Sequence, residues 1–270
     1  MIIEVTDAAD ERLNVFRWRE RQLNTIAQRK AALAEGMFIA EGDLVVRRAL
    51  DAGCKPSVVL CDPKCAQSFV ADITQQGGVT LSASADIRRE VTGLGVPLDA
   101  IGVFYRPALL DSGSLIQNST RLVILDCIDN PSNVGAIARS AVALGWDAML
   151  LDTTSSDPLT RRALRVSMGT TFNLPYARIS NISSTLSELS ERGFAVVGMT
   201  LTHPTRPVVP MTQVNIDNSQ PRALVLGSER QGLSESAINS CTILTSIPMS
   251  PGIDSLNVAS ATAIACYALK

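Results

Sequence analysis

Three short segments of this chain concentrate side chains that can orient or polarise an oxygen nucleophile. The first runs Leu125-Asp-Cys-Ile-Asp-Asn-Pro-Ser-Asn-Val-Gly-Ala-Ile-Ala-Arg139. Asp129, Asn130, Ser132 and Asn133 are strong helix N-cap types, Pro131 suits a first helical turn, and Arg139 falls six residues after Asn133. The second, Leu224-Val-Leu-Gly-Ser-Glu-Arg-Gln-Gly-Leu233, sets Glu229 between glycines directly after an apolar run. The third, Ser246-Ile-Pro-Met-Ser-Pro-Gly-Ile-Asp-Ser-Leu-Asn-Val-Ala-Ser-Ala261, ends with Ser255 and Asn257 at the start of a small-residue helix. A guanidinium such as Arg139 is a fixed cation able to stabilise charge growing on an oxygen. Asn133, Ser255 and Asn257 offer neutral donors and acceptors, and Glu229 can fix a loop or Arg139 through a charged hydrogen bond. Plainer roles stand beside these: Glu229 and Asn130 could order their loops only, and Arg139 could be a surface ion-pair partner.

Other chemistries lack their residues. No GxGxxG opens a helix after a strand and no GxxxxGK[ST] is present, so the usual phosphate cradles are missing. His203 is the only histidine and sits in a polar turn, Leu201-Thr-His-Pro-Thr-Arg206, where it reads as a solvated loop residue. A histidine-based triad or a zinc site has nothing to build on, and no metal is expected. The six cysteines form no CxxC pair, which suits reduced thiols in a cytoplasmic protein. Cys127 reads as a core cysteine at the end of a buried strand, a poor place for a thiolate nucleophile. Arg161 and Arg165 share one helix face after Pro158-Leu-Thr, as a phosphate clamp or as a solvated face.

The elements that must position these residues alternate. Phe38–Ala40, Ser57–Cys61, Val79–Leu81 and Ile101–Phe104 have strand character, with Leu44–Ala52, Cys65–Gln75 and Ala85–Val91 as the helices between them. Further on, Leu122–Leu125, Ala148–Leu151, Phe194–Met199, Ala223–Leu226 and Ile243–Ile247 are predicted strands. Ala136–Leu144, Thr160–Met168, Ile182–Glu191 and Leu256–Ala268 are predicted helices. The rhythm predicts an α/β fold whose second half is a parallel sheet covered by helices. Each polar segment then falls at the C-terminal end of a strand, where open α/β sheets hold ligands. Residues 1–107 form a first small α/β domain with an Arg-rich opening (Arg12, Arg17, Arg19, Arg21, Arg29), in which Arg17 and Arg21 have helical spacing. Residues 108–120 are a turn-rich linker, and residues 121–270 form the second domain.

Bulk properties agree with two ordinary domains: 270 residues, 46% hydrophobic, 19% charged. The net charge of −2 does not announce nucleic acid, yet 20 of the 24 basic residues are arginine, whose planar fork suits phosphate. High-GC codon usage explains the same bias. The start, MIIEVTDAADERL, does not read as a secretory signal, and the apolar stretch Leu256–Leu269 is too short for a bilayer that needs roughly 20 residues, so a buried helix is expected.

Taken together and in this order, the three segments match the signature motifs of the SpoU (TrmH-like) methyltransferases. They are Asn-Pro-x-Asn-x-Gly with an Arg six residues after the second Asn, Gly-x-Glu-x-x-Gly-Leu, and Ile-Pro-Met followed by Ser-Leu-Asn-Val. The resemblance spans about residues 121–270, and Phe38-Ile-Ala-Glu-Gly42 resembles the ribosomal-protein-like RNA-binding domain that many members carry before it. It implies a trefoil-knotted C-terminal parallel-sheet methyltransferase domain. It also implies S-adenosylmethionine held by Leu226, Gly227, Ser228, Ile247, Pro248, Met249 and Leu256. Arg139 is then the catalytic residue, with Asn133, Glu229, Ser255 and Asn257 around the reacting group. The acceptor is the ribose 2′-hydroxyl of a nucleotide in structured RNA, rRNA ahead of tRNA, contacted by Arg17, Arg21, Arg161 and Arg165, and the enzyme is a homodimer. Two rivals stay open: a base methyltransferase of the same fold, and a non-catalytic RNA-binding relative. Ser255-Leu-Asn257 favours ribose, and the complete polar set argues against a decayed copy. Arg230 departs from the glycine many members have after the motif-two Glu.

Overall fold

The computed structural model describes residues 1–24, 36–253 and 255–270. Two compact units emerge, one of residues 1–109 with 159–172, the other of residues 110–158 with 173–270. In the first unit the strands are β1 (Ile2–Val5), β2 (Met37–Glu41), β3 (Pro56–Cys61), β4 (Val79–Ala83) and β5 (Ala100–Tyr105), ordered β1-β4-β3-β5-β2. The β1, β4 and β3 strands run parallel, while β5 is antiparallel to its neighbours β3 and β2. Helices α1 (Glu20–Leu23), α2 (Asp43–Asp51), α3 (Pro63–Gln75) and α4 (Ala85–Thr92) join them. Local chemistry sets their starts: Asp62 caps α3 ahead of Pro63, and Ser84 accepts from Ile87 N–H at α4. Leu13, Phe16, Ile39, Leu60, Leu81 and Ile101 meet in one apolar core.

The second unit is built on a seven-stranded, wholly parallel sheet. Its strands are β6 (Arg121–Asp126), β7 (Ala148–Leu151), β8 (Tyr176–Arg178), β9 (Ala195–Met199), β10 (Val209–Pro210), β11 (Arg222–Gly227) and β12 (Ile243–Ser246). Their order is β10-β12-β9-β11-β6-β7-β8. Helices in chain order are α5 (Ser112–Asn118), α6 (Pro131–Ala143), α7 (Arg161–Ser167, in the first unit), α8 (Ile182–Glu191), α9 (Glu235–Ser240) and α10 (Val258–Ala268). The two-residue strand period sends Val123, Leu125, Leu224 and Leu226 to one face, under α6 and α10, and Leu122, Ile124, Ala223 and Val225 to the other, under α8 and α9. Both faces are covered, which is why β6 and β11 are unbroken apolar runs. Trp146 Nε1 donates to the Cys266 carbonyl at 3.2 Å, and the Arg222 guanidinium to that of Leu269 at 3.0 Å, fixing the C-terminal end of α10.

Several expectations change. The stretch 108–120 is not all linker: Asp111 accepts from Ser114 N–H and starts α5, which buries Ile116. Residues 159–172 cluster with the first unit rather than with the rest of 121–270. Arg17 and Arg21 do not share a helix, because extended backbone at Trp18 and Arg19 separates a 3-10 turn, Glu11–Arg17, from α1. Helix α10 is not buried all round, since Ile264 and Tyr267 stay exposed on one side. No helix among the described residues is long and apolar enough to cross a membrane. Arg29 and Asp254 lie outside the described residues.

Candidate active site

Motif one begins where β6 ends. Cys127 takes a left-handed backbone conformation (φ 59°), unusual for a side chain with a Cβ, and this turns the chain out of the sheet. Its N–H is held by Asp152 Oδ1 at 3.1 Å, and the next N–H, of Ile128, by Ser155 Oγ at 2.9 Å. Asn130 caps α6 by accepting from Ser132 N–H at 3.0 Å, with Pro131 in the first turn. The buried Asn133 is thereby fixed on the first turn of α6.

Motif two is a tight turn after β11. Gly232 N–H donates to the Ser228 carbonyl at 2.8 Å, and Gln231 N–H to Ser228 Oγ at 3.2 Å. A Cβ on Gly227 would sit 2.2 Å from the carbonyl carbon of Gly232, so only glycine permits this closure. Asp126 Oδ2 accepts from Ser234 N–H at 2.7 Å and ties the turn to the end of β6. This nearly fully buried carboxylate escaped the sequence reading, although a charged residue closing an apolar strand is a visible signal.

Motif three ends at the start of α10. Asn257 Oδ1 caps the helix by accepting from Ala259 N–H at 2.9 Å. Its Nδ2 donates both to Asn133 Oδ1, at 3.2 Å, and to Glu229 Oε1. One side chain thus joins all three motifs. Glu229 and Asn257 are exposed while Asn133 is buried, so the network runs from the interior to solvent.

Beside it lies a cavity of about 330 Å³. Its walls are Met199–Thr202 at the C-terminal end of β9, Leu226–Gly232 at that of β11, Ser246, Ile247 and Met249 at that of β12, and Ser255, Leu256, Val258 and Ala261 around the start of α10. Leu226, Gly227, Ser228, Ile247, Met249 and Leu256 line it as a group; Pro248 does not and is exposed. Glu229 and Ser255 also line it, and Asn133 and Asn257 connect to it through Glu229. Arg139 is not among the residues that line the cavity. It is exposed on α6, six residues beyond Asn133, which on a helix is about 9 Å along the axis and roughly 120° around it. The wall Met199–Thr202 was not anticipated.

Other expected residues are placed differently. Arg161 donates to Glu41 Oε1 at 3.3 Å and to the carbonyls of Phe16 and Trp18 at 2.8 Å each, all within the first unit. These commitments make it an internal staple and not a phosphate clamp. Arg165 reaches the same buried Glu41 at 3.4 Å but stays half exposed. Arg17 donates to the Ala8 carbonyl at 2.7 Å and, like Arg21, is exposed. His203 is not solvated: its side chain is 7% exposed, Nδ1 accepts from Arg206 N–H at 3.1 Å, and Nε2 lies 3.7 Å from Glu235. Cys127 is half-buried rather than core. Its thiol lies among Asp126 and Asp152, and burial first, then these carboxylates, push its pKa up, so the neutral thiol is held. Asp152 is occupied by N–H donors from Cys127, Thr154 and Ser155.

The comparisons agree with this geometry. Residues 120–267 match the model of the SpoU rRNA methylase family. An uncharacterized tRNA/rRNA methyltransferase of Mycobacterium tuberculosis is 32% identical over 265 residues, covering 98% of this chain and 90% of its own. The AdoMet-bound rRNA methyltransferase from Sinorhizobium meliloti superposes with a TM-score of 0.81 at 24% identity, over 99% of this chain and 97% of that one. An RNA 2′-O ribose methyltransferase does so with a TM-score of 0.76 at 23% identity, over 99% and 98%. With the motifs joined through Asn257 around one cavity, and a family model matched across all three, the chain belongs to the SpoU rRNA methylase family of RNA methyltransferases.

Proposed function

We propose that this protein transfers a methyl group from S-adenosylmethionine to a ribose 2′-hydroxyl in structured RNA, with rRNA ahead of tRNA as substrate. The observation carrying this reading is the cavity at the C-terminal edge of the sheet with the Asn133–Asn257–Glu229 network at its side. The cavity fits a nucleoside-sized cofactor: its volume lies in the range of about 300–1,000 Å³ usual for small-molecule sites. Leu226, Ile247, Met249 and Leu256 offer apolar surfaces for a purine, and the backbone of Gly227 and Ser228 supplies polar edges. When bound, S-adenosylmethionine supplies an electrophilic methyl on a sulfonium. The chain's task is then to bring a weakly acidic hydroxyl into line and to stabilise charge growing on its oxygen.

Asn257, which also donates to Asn133, donates to Glu229 and orients it, and Ser255 presents a hydroxyl at the same rim. Arg139 supplies the cation. Its distance from Asn133 around α6 supports a role at the cavity of a second copy, in a homodimer that also covers Ile264 and Tyr267 on α10. The order β12-β9-β11-β6 supports a trefoil-knotted path through the last third of the chain. The α/β domain of residues 1–107, followed by residues 108–120 as connection to residues 121–270, reads RNA shape through exposed Arg17 and Arg21. We place the enzyme in the cytoplasm and invoke no metal.

Methyl transfer from labelled S-adenosylmethionine into RNA of a strain lacking the gene, with nucleoside mass spectrometry, tests the reading. The expected product is a 2′-O-methylated nucleotide, and a 2′-deoxy acceptor at that position should abolish transfer. Methylation persisting on the deoxy acceptor would assign the base, the strongest rival.

A further inference from the structure

Arg230 is the one cation among the described residues lining the cavity, and neither the motif-based mechanism nor the folding of the chain uses it. It sits at the tip of the turn Ser228–Gly232, which is closed by the Gly232–Ser228 hydrogen bond and by the Gly227–Gly232 approach that leaves no room for a Cβ. The two neighbours at this tip diverge. Glu229 is drawn to Asn257, whereas Arg230 is exposed and makes no hydrogen bond or ion pair with any described residue. Five guanidinium donors are therefore carried to the rim of the site on a closed turn with no acceptor among the described residues.

We propose that Arg230 is an anion-binding point of this site that takes a phosphodiester of the RNA strand bearing the acceptor nucleotide. The inference rests on the reading of the cavity as the cofactor site and of RNA as the acceptor. Each ribose 2′-hydroxyl is flanked by phosphates, so a strand that presents the hydroxyl to the cavity brings an anion to its rim. A planar fork suits a phosphate bidentately. The rival anion is the carboxylate of the cofactor's methionine moiety. Exposure argues for the phosphate, because a cation left to solvent beside Glu229 is set for a ligand arriving from solvent, not for one enclosed by the walls.

The test compares wild type with Arg230→Ala and Arg230→Lys. Calorimetry with S-adenosylhomocysteine and with methylthioadenosine, which lacks the carboxylate, should give Kd values within about twofold of wild type in both variants. With rRNA from a strain lacking the gene, Arg230→Ala should raise KM about tenfold, the size of one charged hydrogen bond, with kcat at saturating RNA nearly unchanged. The slope of log affinity for RNA against log salt should become shallower by about 1, the loss of one phosphate contact. Arg230→Lys should recover part of the salt slope and less of the KM. Weakened S-adenosylhomocysteine binding with unchanged methylthioadenosine binding would assign the carboxylate and overturn the proposal. An unchanged RNA KM and salt slope, or a fall in kcat alone, overturns it as well. Wild type that binds neither ligand overturns the cofactor reading itself, and that result is recognised before any variant is compared.

Discussion

Asn257 is the residue where stability and chemistry can be pulled apart. Its Oδ1 caps α10 and its Nδ2 links Asn133 to Glu229, so substitutions can remove one function and spare the other. Asn257→Ala removes both. Loss of the cap costs about 1 kcal/mol, and loss of a partly exposed hydrogen bond to a charged acceptor adds on the order of 0.5–1 kcal/mol. At about 2–4 °C per kcal/mol for a chain approaching this size, Tm should fall by roughly 3–8 °C. Asn257→Asp keeps the cap and sets a carboxylate favourably at the helix N-terminus, but it faces the Glu229 carboxylate with an acceptor in place of a donor. In a solvated setting that repulsion is about 1 kcal/mol, which the helix dipole largely offsets, so Tm should stay within about 2 °C of wild type. Turnover should nevertheless fall at least about tenfold, the equivalent of one lost orienting contact of about 1.4 kcal/mol. Differential scanning fluorimetry and methyl transfer to RNA read the two effects. An aspartate variant with wild-type turnover would refute a role for the Asn257–Glu229 bond in the reaction, and an alanine variant with wild-type Tm would refute the cap.

The other expectations are distributed over the two units. Arg139→Ala should bind S-adenosylhomocysteine as wild type does yet lose most turnover, and Arg139→Lys should recover little; coexpression with Gly227→Ala, whose motif-two turn cannot close, should restore measurable activity if Arg139 serves the partner's cavity. Arg139→Ala with undiminished turnover removes it from the mechanism. Glu41→Ala leaves Arg161 and Arg165 without their shared buried carboxylate and should cost about 3–5 kcal/mol in urea unfolding, whereas a loss under about 1 kcal/mol would mean the pair is incidental. Burial pushes the thiol of Cys54 up to about 11 and those of Cys61, Cys241 and Cys266 up to about 12, so a disulfide reagent at pH 8 should label native protein only slowly, at half-buried Cys65 and Cys127. Rapid labelling of all six would contradict the packing.

What was legible in the chain is what local chemistry decides. Asp62-Pro63, Ser84, Asn130-Pro131 and Asn257 announce helix starts by residue type, and the observed N–H donors end on those very side chains. The apolar runs of β6 and β11 announce a sheet covered on both faces. Short or compositionally weak elements were not visible. Strand β10 has two residues and β8 three, below the length at which a period of two can be recognised, and Ser112-Gly-Ser114 has loop composition although Asp111 starts a helix there. Strand order was equally hidden, because seating β11 between β9 and β6 depends on a β11–β6 pairing about a hundred residues apart in the chain.

The site divides along the same line. The three motifs were readable because each pairs a strand end with a tight turn or a cap. Thr200 and Thr202 follow an apolar strand just as Ser228 and Ser246 do, so the rule that ligands sit at C-terminal strand ends marks them too. What hides them is that the turn they enter, Leu201–Arg206, has the composition of a solvated loop around His203. Arginine shows the complementary failure. Arg161 and Arg165 have the spacing of a phosphate clamp, but spacing says nothing about Glu41, about 120 residues away, which the fold brings to both and which helps hold Arg161 inside the first unit. Arg230 is visible in the sequence only as a departure from the family's glycine; its availability emerges once its turn is seen to lie at the cavity with no partner among the described residues. An arginine's availability to a ligand is set by which acceptors the fold brings to it, and that is a property of long-range packing which no local pattern encodes.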